Sequence, residues 1–285
     1  MENAHVSQRG LFLIWLVGQS RASYYNKKKS PTLFYTHKSN FQKNISPLGL
    51  RQSKEKIVKL KVKSIKTMNE IGKLIDEFKA LRIDNTHRDA SFDLCFHYFQ
   101  TNKEHVAEKD YLEKSCLYLW SYLSSWGMLR GSSRLLEKSP ASLKPLIEHI
   151  QKSNVWDIDV DKYTDENIDK LIAEYKAIEK LLKEEILEKL PTCTLVTKIM
   201  LGVYGNVPAF DVNFTATLKK EYKGKCRSTV FNTESLKCIK DLYDKHKDEF
   251  NQEIKVLDFE NKETELRYTK AKLVDMYGFQ KGLNK

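Results

Sequence analysis

The sequence predicts an all-α fold: one globular domain of about nine helices, preceded by a basic, poorly structured leader. Three observations support this prediction. Apolar residues recur at helical spacing from Met68 onwards, alternating strand patterns are scarce, and the chain of 285 residues is long enough to bury one sizeable core. The stretch 254–263 could be extended, but one short strand cannot form a sheet. We therefore place the folded domain at 68–285 and an extension outside the fold at 1–67.

The leader and the domain differ in charge. Of the 49 Lys and Arg residues, 14 lie in 1–67, which leaves 35 for the domain; of the 38 Asp and Glu residues, only Glu2 and Glu55 lie in the leader, which leaves 36. The domain is therefore close to neutral, and the basic isoelectric point gives no argument that the domain binds nucleic acid. The leader could bind phosphate groups of nucleic acid through salt-sensitive contacts.

The origin of the leader stays open between three alternatives. Its apolar run, 10–18, is too short to span a bilayer, so no membrane span is predicted. The run could belong to a targeting segment, the whole leader could be an upstream extension or misplaced start, or it could be a genuine basic arm. Five cysteines without a C-x-x-C pair favour a reduced, cytoplasmic location.

Nine stretches of the domain carry the helical pattern. In chain order, these stretches are 68–83, 89–100, 111–136, 139–150, 164–190, 192–204, 208–222, 233–250 and 267–279. Thr164 is a predicted N-cap and Pro191 a predicted stop for the clearest helix. Pro145 is expected to split or kink the fourth stretch.

The stretch 120–136 crowds serine and glycine among large apolar residues, and we expect its tryptophan helix to organise the interior. Small residues allow a helix or a ligand to approach the backbone closely. Arg130, Ser132 and Ser133 are therefore candidates for binding an anion, and a cleft near Arg130 could receive nucleic acid. The alternative is a buried Arg130 that is neutralised by a carboxylate within the fold.

A second polar group lies on the helix at 89–100. Asp89, Asp93 and His97 have the i, i+4, i+8 spacing that places them on one helical face. Such a face could hold a divalent cation if a facing helix completed the ligands, but a solvated polar face is the simpler interpretation. We predict no metal and no cofactor. His149 is interpreted as a surface residue.

The stretch 190–211, LPTCTLVTKIMLGVYGNVPAFD, ends on a lone aspartate where a helix should begin. Asp211 could be only a helix cap, favoured by the helix dipole at the first turn of the stretch 208–222, whose entry Pro208 fixes. The stretch also resembles the hairpin-to-aspartate segment of helix-hairpin-helix DNA glycosylases through Leu190, Pro191, Thr197, Tyr204-Gly205 and Asp211. The resemblance implies a catalytic role for Asp211 after a base is flipped out. Lys198 is the nearest candidate for the family's catalytic lysine, although it lies just beyond the hairpin.

The resemblance has departures. Threonines 192 and 194 occupy the positions of the two hairpin glycines, and the Leu-to-Asp spacing is shorter than in the family. More broadly, 68–285 resembles a family of uncharacterised all-helical bacterial proteins, which implies no activity. Two functions remain: a non-catalytic interaction or accessory protein, with a protein partner or within a nucleic-acid-handling system, or a glycosylase-like enzyme that uses Asp211 and Lys198.

Overall fold

The structure, a computed structural model, describes residues 70–82, 86–130, 135–224 and 229–284. The predicted all-α class is confirmed: these residues form ten α-helices and one two-stranded hairpin. None of the helices in the described ranges is both long and apolar enough to cross a bilayer. The leader lies outside these ranges, so its predicted lack of structure and the domain boundary at Met68 stay predictions.

The helices and strands have the following bounds. They are α1 (Glu70–Arg82), α2 (Ala90–Thr101), α3 (Lys109–Ser125), α4 (Lys144–Gln151), α5 (Asp165–Leu181), α6 (Cys193–Tyr204), α7 (Val212–Tyr222), α8 (Thr233–Lys245), α9 (Lys247–Phe250), β1 (Lys255–Leu257), β2 (Glu263–Arg267) and α10 (Lys270–Leu283).

The local signals predict several helix ends correctly. The Thr164 hydroxyl accepts a hydrogen bond from the Asn167 amide at 3.2 Å and so caps α5, as expected for a threonine before the first turn. Helix α5 passes into a π-helical turn at Leu182–Leu187 and therefore ends before Pro191. A 3₁₀ turn at Pro140–Leu143 precedes α4, and Pro145 lies in the first turn of α4, where its missing N–H is not needed.

Helix α3 is shorter than its pattern predicts. Its C-cap is Trp126, and Gly127 follows with φ of +72°, a left-handed conformation that ends the helix. The prediction that one helix continues to 136 is therefore wrong beyond this glycine. Trp120 and Trp126 are only half-buried, so the tryptophan helix lies at the edge of the core rather than at its centre.

The centre of the domain is formed by α6 and α10. Every residue from Leu195 to Tyr204 is buried, and so is every residue from Ala271 to Phe279. Helix α10 packs against α7 and α1, while α6 packs against α2, α3 and α5. A Cβ on Gly282 of α10 would lie 2.3 Å from the Asn213 carbonyl oxygen, so this glycine permits the close approach of α10 to the start of α7.

The hairpin corrects the expectation of a single extended piece. Strands β1 and β2 pair antiparallel, and the turn between them is closed by Asp258, whose Oδ1 accepts hydrogen bonds from the Glu260 and Lys262 amides. Asp93 of α2 accepts the Leu257 amide at 2.8 Å and so fixes β1 to the helical domain. Two strands alone are marginal, and this anchor is what stabilises them.

Candidate functional site

Asp211 is the N-cap of α7. Its Oδ1 accepts hydrogen bonds from the Asn213 and Phe214 amides, each at 3.0 Å, which satisfies two amides that the first turn leaves unpaired. Helix α6 ends at Gly205, which adopts φ of +66° and lets the chain turn back towards α7. The capping role predicted as one alternative for Asp211 is therefore what the geometry shows.

The structure also brings Lys198 to Asp211. The Lys198 Nζ atom lies 3.5 Å from Asp211 Oδ2, and the two side chains are 6% and 13% exposed. Burial lowers the pKa of Lys198, while the carboxylates of Asp211 and Asp275 oppose that shift. The two residues proposed from the glycosylase resemblance thus form one buried ion pair. Their catalytic role stays a prediction.

Trp126 covers this pair. The Lys198 Nζ atom lies 4.4 Å from the centre of the Trp126 ring, a cation–π distance. The Arg88 guanidinium carbon lies 5.2 Å from the same ring centre, and the ring of Phe279 packs edge-on at 5.8 Å. The indole N–H of Trp126 is buried and has no hydrogen-bond partner in the described part of the chain. Trp126 thus covers Lys198, while Asp211 keeps 13% of its side chain exposed.

A second ion pair lies within α10 and was missed by sequence reasoning. Lys272 Nζ and Asp275 Oδ2 are 3.1 Å apart, and their side chains are 2% and 8% exposed. Asp275 Oδ1 also accepts the Ala209 amide at 3.0 Å, which fixes the segment that leads to Asp211. The signal was present, because a Lys and an Asp three residues apart in an otherwise apolar helix can pair on one face.

The anion-binding candidates are only partly described. Arg130 is exposed, so the buried position that would have required an internal carboxylate does not occur. Ser132 and Ser133 lie outside the described residues. A role for Arg130 in binding an anion or nucleic acid stays a prediction.

Two of the three polar residues on this face of α2, Asp89 and Asp93, are buried, while His97 is partly exposed, so the interpretation of a solvated face is wrong for the two carboxylates. Asp89 is 3% exposed and Asp93 is 1% exposed. His87 pairs with Asp89 at 2.9 Å, and Asp93 accepts hydrogen bonds from the Leu257 amide and the Tyr268 hydroxyl. These carboxylates join α2 to the preceding turn and to the hairpin. No group of His, Cys, Asp and Glu suited to a metal ion occurs among the described residues.

His149 is also more than a surface residue. Its Nε2 lies 3.1 Å from Glu174 Oε2, and Glu174 Oε1 accepts the Tyr204 hydroxyl at 2.7 Å. The network joins α4, α5 and α6. The hydrogen bond to Glu174 raises the pKa of His149, against an opposing effect of burial.

The threonines at the hairpin positions are used inside the protein. The Thr192 hydroxyl caps α6 by accepting the Leu195 amide at 3.2 Å, and the Thr194 hydroxyl donates to the Phe210 carbonyl at 2.8 Å. Thr197, which matches the glycosylase pattern, accepts the Phe210 amide at 2.9 Å. These bonds fix the loop between α6 and α7. They differ from the glycine-lined backbone that would approach a DNA phosphate.

An apolar groove that is open to solvent lies on the surface of the domain. It consists of two adjoining cavities of about 220 and 190 Å³ that share Leu94 and Phe259. The first lies between α2 and α3, and the second between α2 and the hairpin. Phe259 is 76% exposed and Leu117 is 48% exposed. We call these two cavities together the α2 groove.

Comparison with protein-family models, curated proteins and solved structures found no match for this chain.

Proposed function

We propose that this chain is a non-catalytic helical interaction protein that binds a protein partner through the α2 groove. One observation carries the proposal: large apolar side chains, Leu117 and Phe259, border open cavities instead of packing into the core. Grouped exposed apolar residues beside a concave surface are typical of interaction sites, whereas single exposed apolar residues are common and carry no such meaning.

The contacts of Asp211 and Lys198 support the same proposal. Both oxygens of Asp211 are used within the fold, Oδ1 by two backbone amides and Oδ2 by Lys198. Trp126 packs over the lysine. These contacts account for the two side chains through capping and charge neutralisation, with no substrate required.

The proposal is tested by affinity capture from the native cells with full-length protein. The variants Phe259→Ser and Leu117→Ser should each lose a partner that the wild type retains. Leu136→Ser is the matched control, because Leu136 is 67% exposed but does not line the groove. If wild type and groove variants capture the same proteins in the same amounts, the proposal is wrong.

A second candidate is a nucleic-acid-acting enzyme, favoured by the close approach of Lys198 and Asp211. A buried lysine whose pKa is lowered is a better nucleophile than an ordinary one, and perturbed ionisable pairs are enriched in active sites. The proximity of this lysine to the aspartate singled out by the glycosylase resemblance gives the candidate a specific chemistry, attack on the sugar of a flipped nucleotide.

This candidate is tested with duplex DNA that contains either one modified base or one abasic site. Base release is measured on the first substrate and strand cleavage on both. Asp211→Asn and Lys198→Met should each abolish activity without unfolding the protein. Lys245→Met, a change at a 60% exposed lysine, is the control and should retain it. Binding should fall with added salt if phosphates are contacted. Absence of any product that depends on both residues contradicts the candidate.

A further inference from the structure

The α2 groove is shaped for side chains rather than for a whole small molecule. Its two cavities, about 220 and 190 Å³, are each smaller than the roughly 300–1,000 Å³ typical of cofactor and ligand pockets. Leu94 of α2 and Phe259 of the hairpin turn lie between them and contribute to both. A chain segment that crosses α2 could therefore place one large side chain in each cavity.

The wall of the first cavity is apolar. Its lining includes the large side chains of Leu94, Leu117 and Tyr118, and the two serines that line it, Ser91 and Ser121, are small. An apolar side chain that fills such a cavity is shielded from water on all sides. Fully desolvated anchors of this kind supply most of the binding energy in protein interfaces. The first cavity thus fits a large aliphatic or aromatic side chain.

The second cavity carries charge of one sign. Its lining includes Asp93 and Asp258, and no Lys, Arg or His occurs among the described residues that line the two cavities. Asp93 already accepts the Leu257 amide and the Tyr268 hydroxyl. Asp258 uses Oδ1 for the turn amides at 2.9 and 2.8 Å, and Oδ2 makes no hydrogen bond in the described part of the chain.

The exposed carboxylates of the hairpin near Phe259 are each paired with a lysine. Glu260, 68% exposed, forms an ion pair with Lys262, and Glu263, 67% exposed, lies 3.6 Å from the Lys255 ammonium. A cation brought to the second cavity would therefore face the Asp258 carboxylate beside apolar atoms, where a charge pair is less screened by water than on a flat surface.

We propose that the α2 groove binds a segment of a partner protein in which a large apolar side chain lies next to a lysine or arginine. The inference rests on the proposed interaction function and names the chemistry of the partner. The apolar side chain occupies the cavity between α2 and α3, and the cation meets Asp258 at the cavity beside the hairpin. Complementary charge sets which partner is accepted, while the apolar anchor supplies most of the affinity.

The experiment selects phage-displayed random dodecapeptides on immobilised full-length protein and removes peptides that also bind the Phe259→Ser variant. The peptides that remain should carry a large apolar residue within two positions of a Lys or Arg. For a synthetic copy of the best peptide, Phe259→Ser should weaken binding about tenfold or more. Asp258→Asn, which keeps an oxygen to accept the turn amides, should weaken it about three- to fivefold, and this smaller effect should shrink in high salt.

Glu253→Gln is the control for charge, because Glu253 is 68% exposed and lies outside both cavities. Groove-dependent peptides without basic residues, or peptides insensitive to Asp258→Asn, would overturn the inference while the proposed function stands. No groove-dependent peptide at all would also overturn it, and the capture experiment then judges the proposed function by itself. A wild-type dimer that Phe259→Ser abolishes would make a second copy of this chain the occupant and would equally overturn it.

Discussion

The α2 groove and the ion pairs at the centre of the domain are both exceptions to the usual pattern, in which apolar side chains are buried and charged ones are exposed. At the centre, charged side chains lie among apolar ones, and each meets an opposite charge within the fold: Lys198 with Asp211, and Lys272 with Asp275. At the groove, Phe259 and Leu117 remain in contact with water. The charges are accounted for by contacts within the fold, whereas the fold gives no role to the exposed apolar surface, where we propose that a partner binds.

The largest loss of stability is expected when one charge of the Lys272–Asp275 pair in α10 is removed. Asp275→Leu should lower the free energy of unfolding by about 3–5 kcal/mol, because it leaves the buried Lys272 ammonium without its carboxylate. Urea denaturation measures the effect. Adding Lys272→Met should restore the part of the loss that comes from the unpaired ammonium, whereas the part that comes from the Ala209 amide, which loses its acceptor, should remain. A double variant as unstable as the single one would show that the pairing is not the cause.

A smaller effect is expected for Lys198→Met. Asp211 keeps two backbone amides and partial exposure, so the free energy of unfolding at neutral pH should change by only about 1 kcal/mol. The pH dependence is more informative. Because burial lowers the pKa of Lys198 below its ordinary 10.5, the unfolded chain binds a proton that the folded chain has lost, between the lowered value and 10.5.

Wild-type stability should therefore rise relative to Lys198→Met as the pH approaches 10.5. Denaturation of both proteins at a series of alkaline pH values gives the difference. A difference that falls with pH would mean that Asp211 outweighs burial at this lysine.

The His149–Glu174 contact should give the opposite pH dependence, in which the free energy of unfolding falls as the pH rises. The pKa of His149 is raised above 6.5, so its stabilisation is fully present below pH 6.5 and is lost as the pH rises through the raised value. The difference in unfolding free energy between wild type and His149→Gln should be below about 1 kcal/mol and should disappear at higher pH. Glu174→Gln keeps an acceptor for Tyr204 and should remove this pH step, measured by thermal unfolding from pH 5 to 8.

The smallest expected change in stability is at the groove. Phe259→Ser should alter the free energy of unfolding by no more than about 0.5 kcal/mol, because the side chain is already 76% exposed. A large loss of stability would instead show that Phe259 contributes to the core, and the comparison between the two regions would fail.

Periodicity in the sequence predicted the helices well where an apolar stripe and a cap coincide, as in α5 with Thr164. It failed where a conformation depends on contacts distant in sequence. The hairpin is fixed to the helical domain by Asp93, which lies 164 residues before Leu257 and accepts its amide. Helix α3 ends at Ser125 although its apolar pattern continues. Gly127 adopts a left-handed conformation, which the spacing of apolar residues does not predict.

The candidate site was predictable to a similar extent. Local sequence predicts a helix start near Asp211, at 208 instead of the observed Val212, and it offers capping as one of two roles for the aspartate. The contact between Lys198 and Asp211 requires α6 to turn back at Gly205 and place α7 against α10, which local sequence does not specify. The α2 groove was not predicted, because its walls come from α2, α3 and the unexpected hairpin.

The helical class and most helix positions follow from local sequence, because propensity, capping and amphipathic spacing act over a few residues, and local sequence offers capping as one of two roles for Asp211. Which charges are neutralised inside, and which apolar side chains stay in water, depends on how the helices pack. Burial is a property of how elements pack, and the same Lys, Asp or Phe has a different energetic meaning in each place that packing assigns to it.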